Sequence, residues 1–452
     1  MPKEHLSVIF KKKIAKFKKT ISVDSDKSIS IRSFIIGSIS EGISRVKNVL
    51  ESDDVVFSTI NSLRRLNCKI IKIKRGEYEI YGKGLGSLKC KKNTVLDFGN
   101  SGTAARLLGC GVLSTNPNIQ VKLKGDKSLN KRNMNKIIKV MEEFGAEFFP
   151  KNKFFFPLTL VSSEVPIGIK YSTGISSQIK SAVILAGLNS FGKTTIIESI
   201  KSRDHTERML KVNRNAIRIK KEKKNLIEIM GKKSLEPVNI SVPGDPSSAS
   251  FYVTLCLLNK NSEIVIKKVH INETRIGFFN IIRKHNGRII FKNKKLEHNE
   301  KVADVHVKTS SVKPLKVPGK FFVSCQDEYP IMFAMAALLP GTSIFEGIED
   351  LSNKESNRIL EMQKILKQIG VKTQVTKSKM KIFGNPNLSI KNRKITVSGI
   401  YDHRILMSAA VLSLLTGIKA DLKNFEQVWS SCPNFLPTIK HLGGKFEIKK
   451  KN

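Results

Sequence analysis

The residues of this 452-residue chain that could do chemistry sit in short polar stretches, most of them just ahead of an apolar run. In Asp26-Lys27-Ser28-Ile29-Ser30-Ile31-Arg32, an ammonium, a hydroxyl and a guanidinium meet at a helix start. Ser28 and Arg32 are four apart, on one helical face. In Gly99-Asn100-Ser101-Gly102-Thr103-Ala104-Ala105-Arg106, a glycine turn leads into good helix formers. The first turn of such a helix presents unpaired N–H groups and the positive end of the dipole, so it suits an anion. Gly102 has no Cβ to hold a ligand off the backbone. Gly125-Asp126-Lys127-Ser128-Leu129 with Arg132 is a basic loop, and Ser176-Ser177-Gln178 offers hydroxyls and an amide. Carboxylates stand beside cations or helix starts at Asp327-Glu328, Lys354-Glu355-Ser356-Asn357-Arg358 and Asp402-His403-Arg404. Cations that grip phosphate or carboxylate, with carboxylates for proton transfer, suit chemistry on small anionic substrates. Taken singly, each stretch reads equally as a helix cap or a solvated charge cluster.

The elements that must hold these residues repeat. With Lys27, Ser101, Ser177, Ser248, Glu328 and Arg404 as markers, the gaps are 74, 76, 71, 80 and 76 residues. Apolar helices are expected after each marker, over 29–39, 103–113, 179–188, 249–258, 329–339 and 405–415. Amphipathic second helices are expected over 55–66, 134–144, 276–285 and 357–369. Each ends near a Gly or Asn before a strand-like run. The unit reads strand, apolar helix, strand, amphipathic helix, then one or two strands, six times over. That is an α/β chain, and its length suits two domains of three units. The alternating stretch 14–18 reads as an edge strand.

A formal net charge of +42 makes nucleic-acid binding the first rival reading. The lysines are spread along the chain, with short runs at 11–13, 220–224 and 449–451, and one Trp and six Tyr give little aromatic interleaving. The charge therefore reads as solvated, no nucleic acid is expected as a partner, and the local potential would favour a small anion. No apolar run is long enough to span a membrane, and the Lys-rich first twenty residues lack a secretory pattern. Six cysteines without paired spacing suit reduced thiols and offer neither a disulfide frame nor a Cys-rich zinc site. A cytoplasmic protein without membrane association is expected.

Lys27-Ser28-Ile29-Ser30-x-Arg32, Gly99-Asn100-Ser101-Gly102-Thr103-Ala104-x-Arg106, Ser202-Arg203-Asp204-His205-Thr206-Glu207-Arg208-Met209-Leu210, Lys354-Glu355-Ser356-Asn357-Arg358 and Asp402-His403-Arg404 resemble the 5-enolpyruvylshikimate-3-phosphate synthase family, in order, over about 15–445. The resemblance implies two domains, each of three βαβαββ units, closing over the substrates. The first comprises 1–25 and 245–452, the second 26–244. It implies transfer of the enolpyruvyl group of phosphoenolpyruvate to the 5-hydroxyl of shikimate 3-phosphate, with no cofactor and no metal, by a monomer. Carried over residue by residue, Asp327, Glu355 and Lys27 would be catalytic. Lys27, Ser28, Arg32, Ser176, Ser177, Gln178, Arg203, Asp327 and Lys354 would bind shikimate 3-phosphate. Lys27, Gly102, Arg132, Gln178, Arg358 and Arg404 would bind phosphoenolpyruvate, and His205 would be structural. Glyphosate, a compact anion, would compete with phosphoenolpyruvate beside Gly102.

Three departures stand out. Asp24-Ser25 replaces the usual Pro-Gly and is expected to add negative charge near the first substrate loop. Asn133 replaces a proline after Arg132, which is expected to loosen that loop. Ser430-Ser431-Cys432-Pro433 replaces a segment that carries a lysine in one branch of the family. The closest rival enzyme is the UDP-N-acetylglucosamine enolpyruvyl transferase, whose loop bears a cysteine or, occasionally, an aspartate; here the loop has Asp126 and no cysteine.

Overall fold

The computed structural model describes residues 5–221 and 224–451; residues 1–4 and 452 lie outside, as do Glu222 and Lys223 within the basic run at 220–224. The six apolar runs are helices: Lys27–Ile39, a continuous helix over 102–115, Ser177–Leu188, Pro246–Leu258, Tyr329–Ala337 and His403–Thr416. Being apolar around most of the circumference, they are buried on nearly every side; every residue of Tyr329–Ala337 is buried. Side chains cap five of them: Asp26 accepts from the Ile29 N–H, Ser101 from Ala104, Ser176 from Ile179, Asp245 from Ser247 and Asp402 from Arg404. At the sixth, Glu328 makes no cap bond, and its carboxylate accepts from the Ser247 hydroxyl instead. The middle of the second helix, Ala105–Val112, widens to i→i+5 hydrogen bonding. There Gly111 approaches the Ser177–Leu188 helix so closely that a Cβ would meet Ala182 Cα at 3.0 Å. The second helices form at Val56–Ile60 with Asn61–Arg65, Asn135–Glu142, Gly277–Lys284 and Arg358–Gln368.

Strands complete six four-stranded sheets among the described residues. Thr94–Asp97 and Gln120–Lys124 flank a helix and pair in parallel, as a helical crossover requires. Leu158–Val161 adds antiparallel to Gln120–Lys124, and Glu147–Phe149 adds at the edge. Lys170–Thr173, Lys193–Glu198, Asn225–Met230 and Ile217–Lys221 repeat the order. Two repeats exchange their leading strands. Lys18–Ser22, ahead of the first apolar helix, pairs in parallel with Glu263–His270, while Asn239–Ser241, ahead of the fourth, pairs with Glu41–Lys47. His5–Phe10 lies between Lys419–Lys423 and Phe446–Lys451, antiparallel to both. The edge strand expected at 14–18 begins only at Lys18. Residues 14–17 are irregular, and the alternation there marks two buried anchors, Ile14 and Phe17.

The chain divides into two compact units. One runs through Asp24, resumes over Pro243–Lys295 and continues from Lys301; the other is Ser25–Val242 with Leu296–Glu300. The division at 245 places 296–300 in the first domain; the structure groups these residues with the second unit. Within that unit His205 Nδ1 meets Glu300 Oε1 at 2.9 Å, and Arg208 Nη1 donates to the Asn299 carbonyl at 3.0 Å. No helix among the described residues is long and apolar enough to cross a membrane.

Candidate active site

In the unit containing 25–242, the polar stretches meet at helix starts. Lys27 opens its helix and extends Nζ to Asp54 Oδ2 at 2.9 Å, with side chains only 18% and 7% exposed. Asp54 was missed by the sequence reading because it lies in a turn 27 residues on, where no periodicity points to it. Arg32 is buried and donates from Nε to Thr206 Oγ1 (2.9 Å), from Nη2 to Ser181 Oγ (3.1 Å) and from Nη1 to the Ser28 carbonyl (3.0 Å). The Thr206 hydroxyl donates onward to Ser181 Oγ at 2.8 Å. Three helices, starting at Lys27, Ser177 and His205, are thereby tied through one guanidinium. Ser177 and Arg203 are buried beside them, at 7% and 8% exposed, and Ser28 is half-buried.

A second grouping surrounds Gly102. Gln178 donates from Nε2 to Thr103 Oγ1 at 2.9 Å and accepts from Arg106 Nη1 at 2.7 Å. Arg132 reaches Asn100 Oδ1, and Ser128 Oγ at 3.4 Å. A Cβ on Gly102 would lie 2.8 Å from Arg106 Nη1 and 2.9 Å from Arg132 Nη1. A side chain here would have to push two guanidinium tips aside; they converge on the first turn of a helix, an arrangement suited to an anion. In the sequence Arg106 stands out only as part of a motif. Its spacing of four from Gly102 is the signal that could have found it. In the Arg132 loop, Asn133 Oδ1 accepts from the Asn135 N–H at 2.7 Å. Asp126 is committed to the same loop, accepting from the N–H groups of Ser128 (2.9 Å) and Leu129 (2.8 Å).

Lys180, in the first turn of the Ser177–Leu188 helix, is wholly buried between two carboxylates. Its Nζ lies 2.7 Å from Glu198 Oε1 and 2.6 Å from Glu207 Oε1. One cation serves two acids. Burial, against the pull of Lys180, holds the Glu207 carboxyl above its ordinary range. A group with a raised acid pKa binds its proton more tightly folded than unfolded, so its contribution to stability falls as pH rises from the ordinary carboxyl range to the raised value. Glu207→Gln is therefore expected to lose less stability than wild type as pH rises through that window. Denaturant titrations over a pH series check this; parallel curves would mean that Glu207 does not titrate there.

In the other unit, Arg358 is the hub. Its guanidinium is 1% exposed and donates from Nε to Asp402 Oδ2 (2.9 Å) and from Nη2 to Glu355 Oε2 (2.7 Å), with Nη1 3.5 Å from Asp327 Oδ1. Burial would lower its pKa, but Asp402, Glu355 and Asp327 together raise it. The helix begins at Arg358 itself, so Lys354 and Glu355 lie in the preceding loop rather than on a helix face. This is no solvated surface pair: a buried cation holds both expected catalytic carboxylates of this unit. Lys354 Nζ donates to Gln326 Oε1. Arg404 is 4% exposed, its guanidinium carbon 6.0 Å from the Phe251 ring centroid, while Nε and Nη1 are buried without a hydrogen-bond partner in the protein. Such a guanidinium has donors to offer to an anion.

Two of the departures turn out to be partners. Asp24 pairs with the segment near Cys432. It is buried, and its carboxylate accepts from the Asn434 backbone N–H (3.2 Å) and Nδ2 (2.6 Å), next to Cys432. Burial raises the Asp24 pKa against these hydrogen bonds. The segment that lacks the lysine is therefore anchored by the aspartate that stands where proline is usual.

Residues 11–439 match the family model for EPSP synthase (3-phosphoshikimate 1-carboxyvinyltransferase). The 3-phosphoshikimate 1-carboxyvinyltransferase of Zymomonas mobilis subsp. mobilis is 37% identical over 432 residues, 95% of this chain and 94% of that relative. The solved EPSP synthase of Acinetobacter baumannii superposes with a TM-score of 0.84 at 32% identity, covering 99% of this chain and 100% of that one. The enolpyruvyl transferase NikO of Streptomyces tendae shares the fold, at a TM-score of 0.75 and 12% identity, covering 99% of this chain and 100% of that one. The match is continuous across both units, and the chain belongs to the EPSP synthase (3-phosphoshikimate 1-carboxyvinyltransferase) family of transferases.

Proposed function

We propose that the chain transfers the enolpyruvyl group of phosphoenolpyruvate to the 5-hydroxyl of shikimate 3-phosphate, releasing phosphate, with the residue roles that follow. The observation carrying this reading is the convergence of Arg106 and Arg132 on the first helical turn at Gly102, a cradle for a small phosphate or carboxylate. Arg132, Arg358, Arg404 and Gln178 neutralise and orient phosphoenolpyruvate. Ser28, Arg32, Ser176, Ser177, Gln178, Arg203 and Lys354 hold shikimate 3-phosphate. Asp327 takes the proton of the 5-hydroxyl as its oxygen attacks C2 of phosphoenolpyruvate. Lys27 and Glu355 deliver a proton to the methylene carbon and later remove one as the tetrahedral intermediate expels phosphate. The nearest alternative, UDP-N-acetylglucosamine as acceptor, is disfavoured by the names of the relatives and by Asp126, which is tied into its own turn. Six free thiols support a reducing, cytoplasmic setting, and a monomer is the proposed working form.

The test is phosphate release. Purified protein is expected to liberate phosphate only when both shikimate 3-phosphate and phosphoenolpyruvate are present; release with UDP-N-acetylglucosamine instead would overturn the acceptor. Gly102→Ala adds a methyl that must displace the tips of Arg106 and Arg132. It is expected to raise the KM for phosphoenolpyruvate by about tenfold, the scale of one weakened charged hydrogen bond. Glyphosate inhibition should weaken more. Equal glyphosate responses in the two proteins at matched phosphoenolpyruvate saturation would sink the steric argument.

A further inference from the structure

A lysine in the first turn of an otherwise apolar helix is an expensive choice unless its charge is used. Lys180 is fully buried, and no role in the reaction is assigned to it above. Its two carboxylates come from different elements: Glu198 ends the strand Lys193–Glu198, and Glu207 lies in the helix His205–Leu210. Glu198 Oε1 also accepts from the backbone N–H and the hydroxyl of Ser202, both at 2.9 Å, while Oε2 accepts from Asn225 Nδ2 at 3.2 Å. The stretch 202–207, which includes Arg203 and Thr206, is thus held at both ends by carboxylates that share Lys180. Immediately beside Lys180 on its helix, Ser181 receives Arg32 and Thr206.

We infer that Lys180, Glu198, Glu207 and Ser202 form a buried positioning clamp that sets the Arg32, Ser177 and Arg203 group for the phosphate-bearing acceptor substrate. The clamp acts through these residues and touches no substrate itself. Glu198 is the carboxylate that holds, since it bonds Lys180, Ser202 and Asn225. Glu207 meets Lys180 through Oε1, while its Oε2 is buried and does not reach a second element. The cradle at Gly102 uses none of these groups and meets the Lys180 helix only through Gln178, so the clamp bears chiefly on the shikimate 3-phosphate side.

This inference rests on the proposed reaction, and the experiment separates the two. Wild-type turnover with shikimate 3-phosphate and phosphoenolpyruvate is measured first; its absence removes the reaction and the clamp's purpose with it. Given that turnover, Lys180→Met is expected to raise the KM for shikimate 3-phosphate about tenfold or more, because charged hydrogen bonds are lost. The KM for phosphoenolpyruvate should change less than about twofold. Ser202→Ala, which deletes one hydroxyl and keeps the volume, should raise the same KM about threefold, and it decides the matter if Lys180→Met does not fold. A merely structural role would lower the active fraction, and with it kcat, at unchanged KM. That result, or both KM values rising together, overturns the clamp.

Discussion

Lys27→Met is expected to lose about a thousandfold in kcat, the scale of a positioned proton-transfer group, while the fold survives. Methionine keeps most of the stem of the lysine and deletes the ammonium that sits 2.9 Å from Asp54. The substitution also leaves the Asp54 carboxylate, 7% exposed, without its cation, so a loss of about 1–3 kcal/mol in stability should accompany it. The two effects separate through Asp54→Asn, which keeps an acceptor for Lys27 but removes the negative charge, and which should cut turnover far less. Stopped-flow phosphate release and thermal unfolding on the three proteins decide it. Wild-type kcat in Lys27→Met would remove the lysine from the chemistry.

Asp327→Asn should lower kcat by about a hundredfold to ten-thousandfold while shikimate 3-phosphate still binds, because the amide keeps the shape and cannot take a proton. The Asp327 carboxylate is 21% exposed and lies 3.5 Å from Arg358, whose charge is shared with Glu355 and Asp402. Arg358 therefore keeps two other carboxylates in the variant, and the fold should change little. Calorimetry of shikimate 3-phosphate binding beside turnover provides the check: proportionate losses would make Asp327 a binding residue.

The helix starts were legible because their chemistry is local. A serine or aspartate cap, a glycine turn and an apolar run all lie within a dozen residues, and the six copies reinforced one another. The fold class followed from that repetition. Arg358 was legible as a residue but not as a hub, because its three carboxylates lie 3, 31 and 44 residues away. Lys27 with Asp54, and Lys180 with its glutamates, are pairings between elements with nothing in the intervening chain to announce them. Lys180 did carry one readable cue, a charge where helical periodicity calls for an apolar residue. The strand exchange was invisible for a similar reason. Lys18–Ser22 and Asn239–Ser241 each precede an apolar helix correctly, and only register decides which sheet receives them.

The placement of His5–Phe10 and Lys18–Ser22 has a consequence for biosynthesis. His5–Phe10 pairs with strands made more than 400 residues later; the Leu6 N–H, for example, donates to Glu426, 420 residues on. At translation speeds of about 5–20 residues per second, that separation is roughly 20–80 s of waiting with unsatisfied strand edges. Lys11, Lys12, Lys13, Lys16, Lys18 and Lys19 follow the waiting strand directly. Lysines beside an open edge discourage premature pairing with other chains. Lysines in this stretch suit the part of gatekeepers while His5–Phe10 waits for its two partner strands.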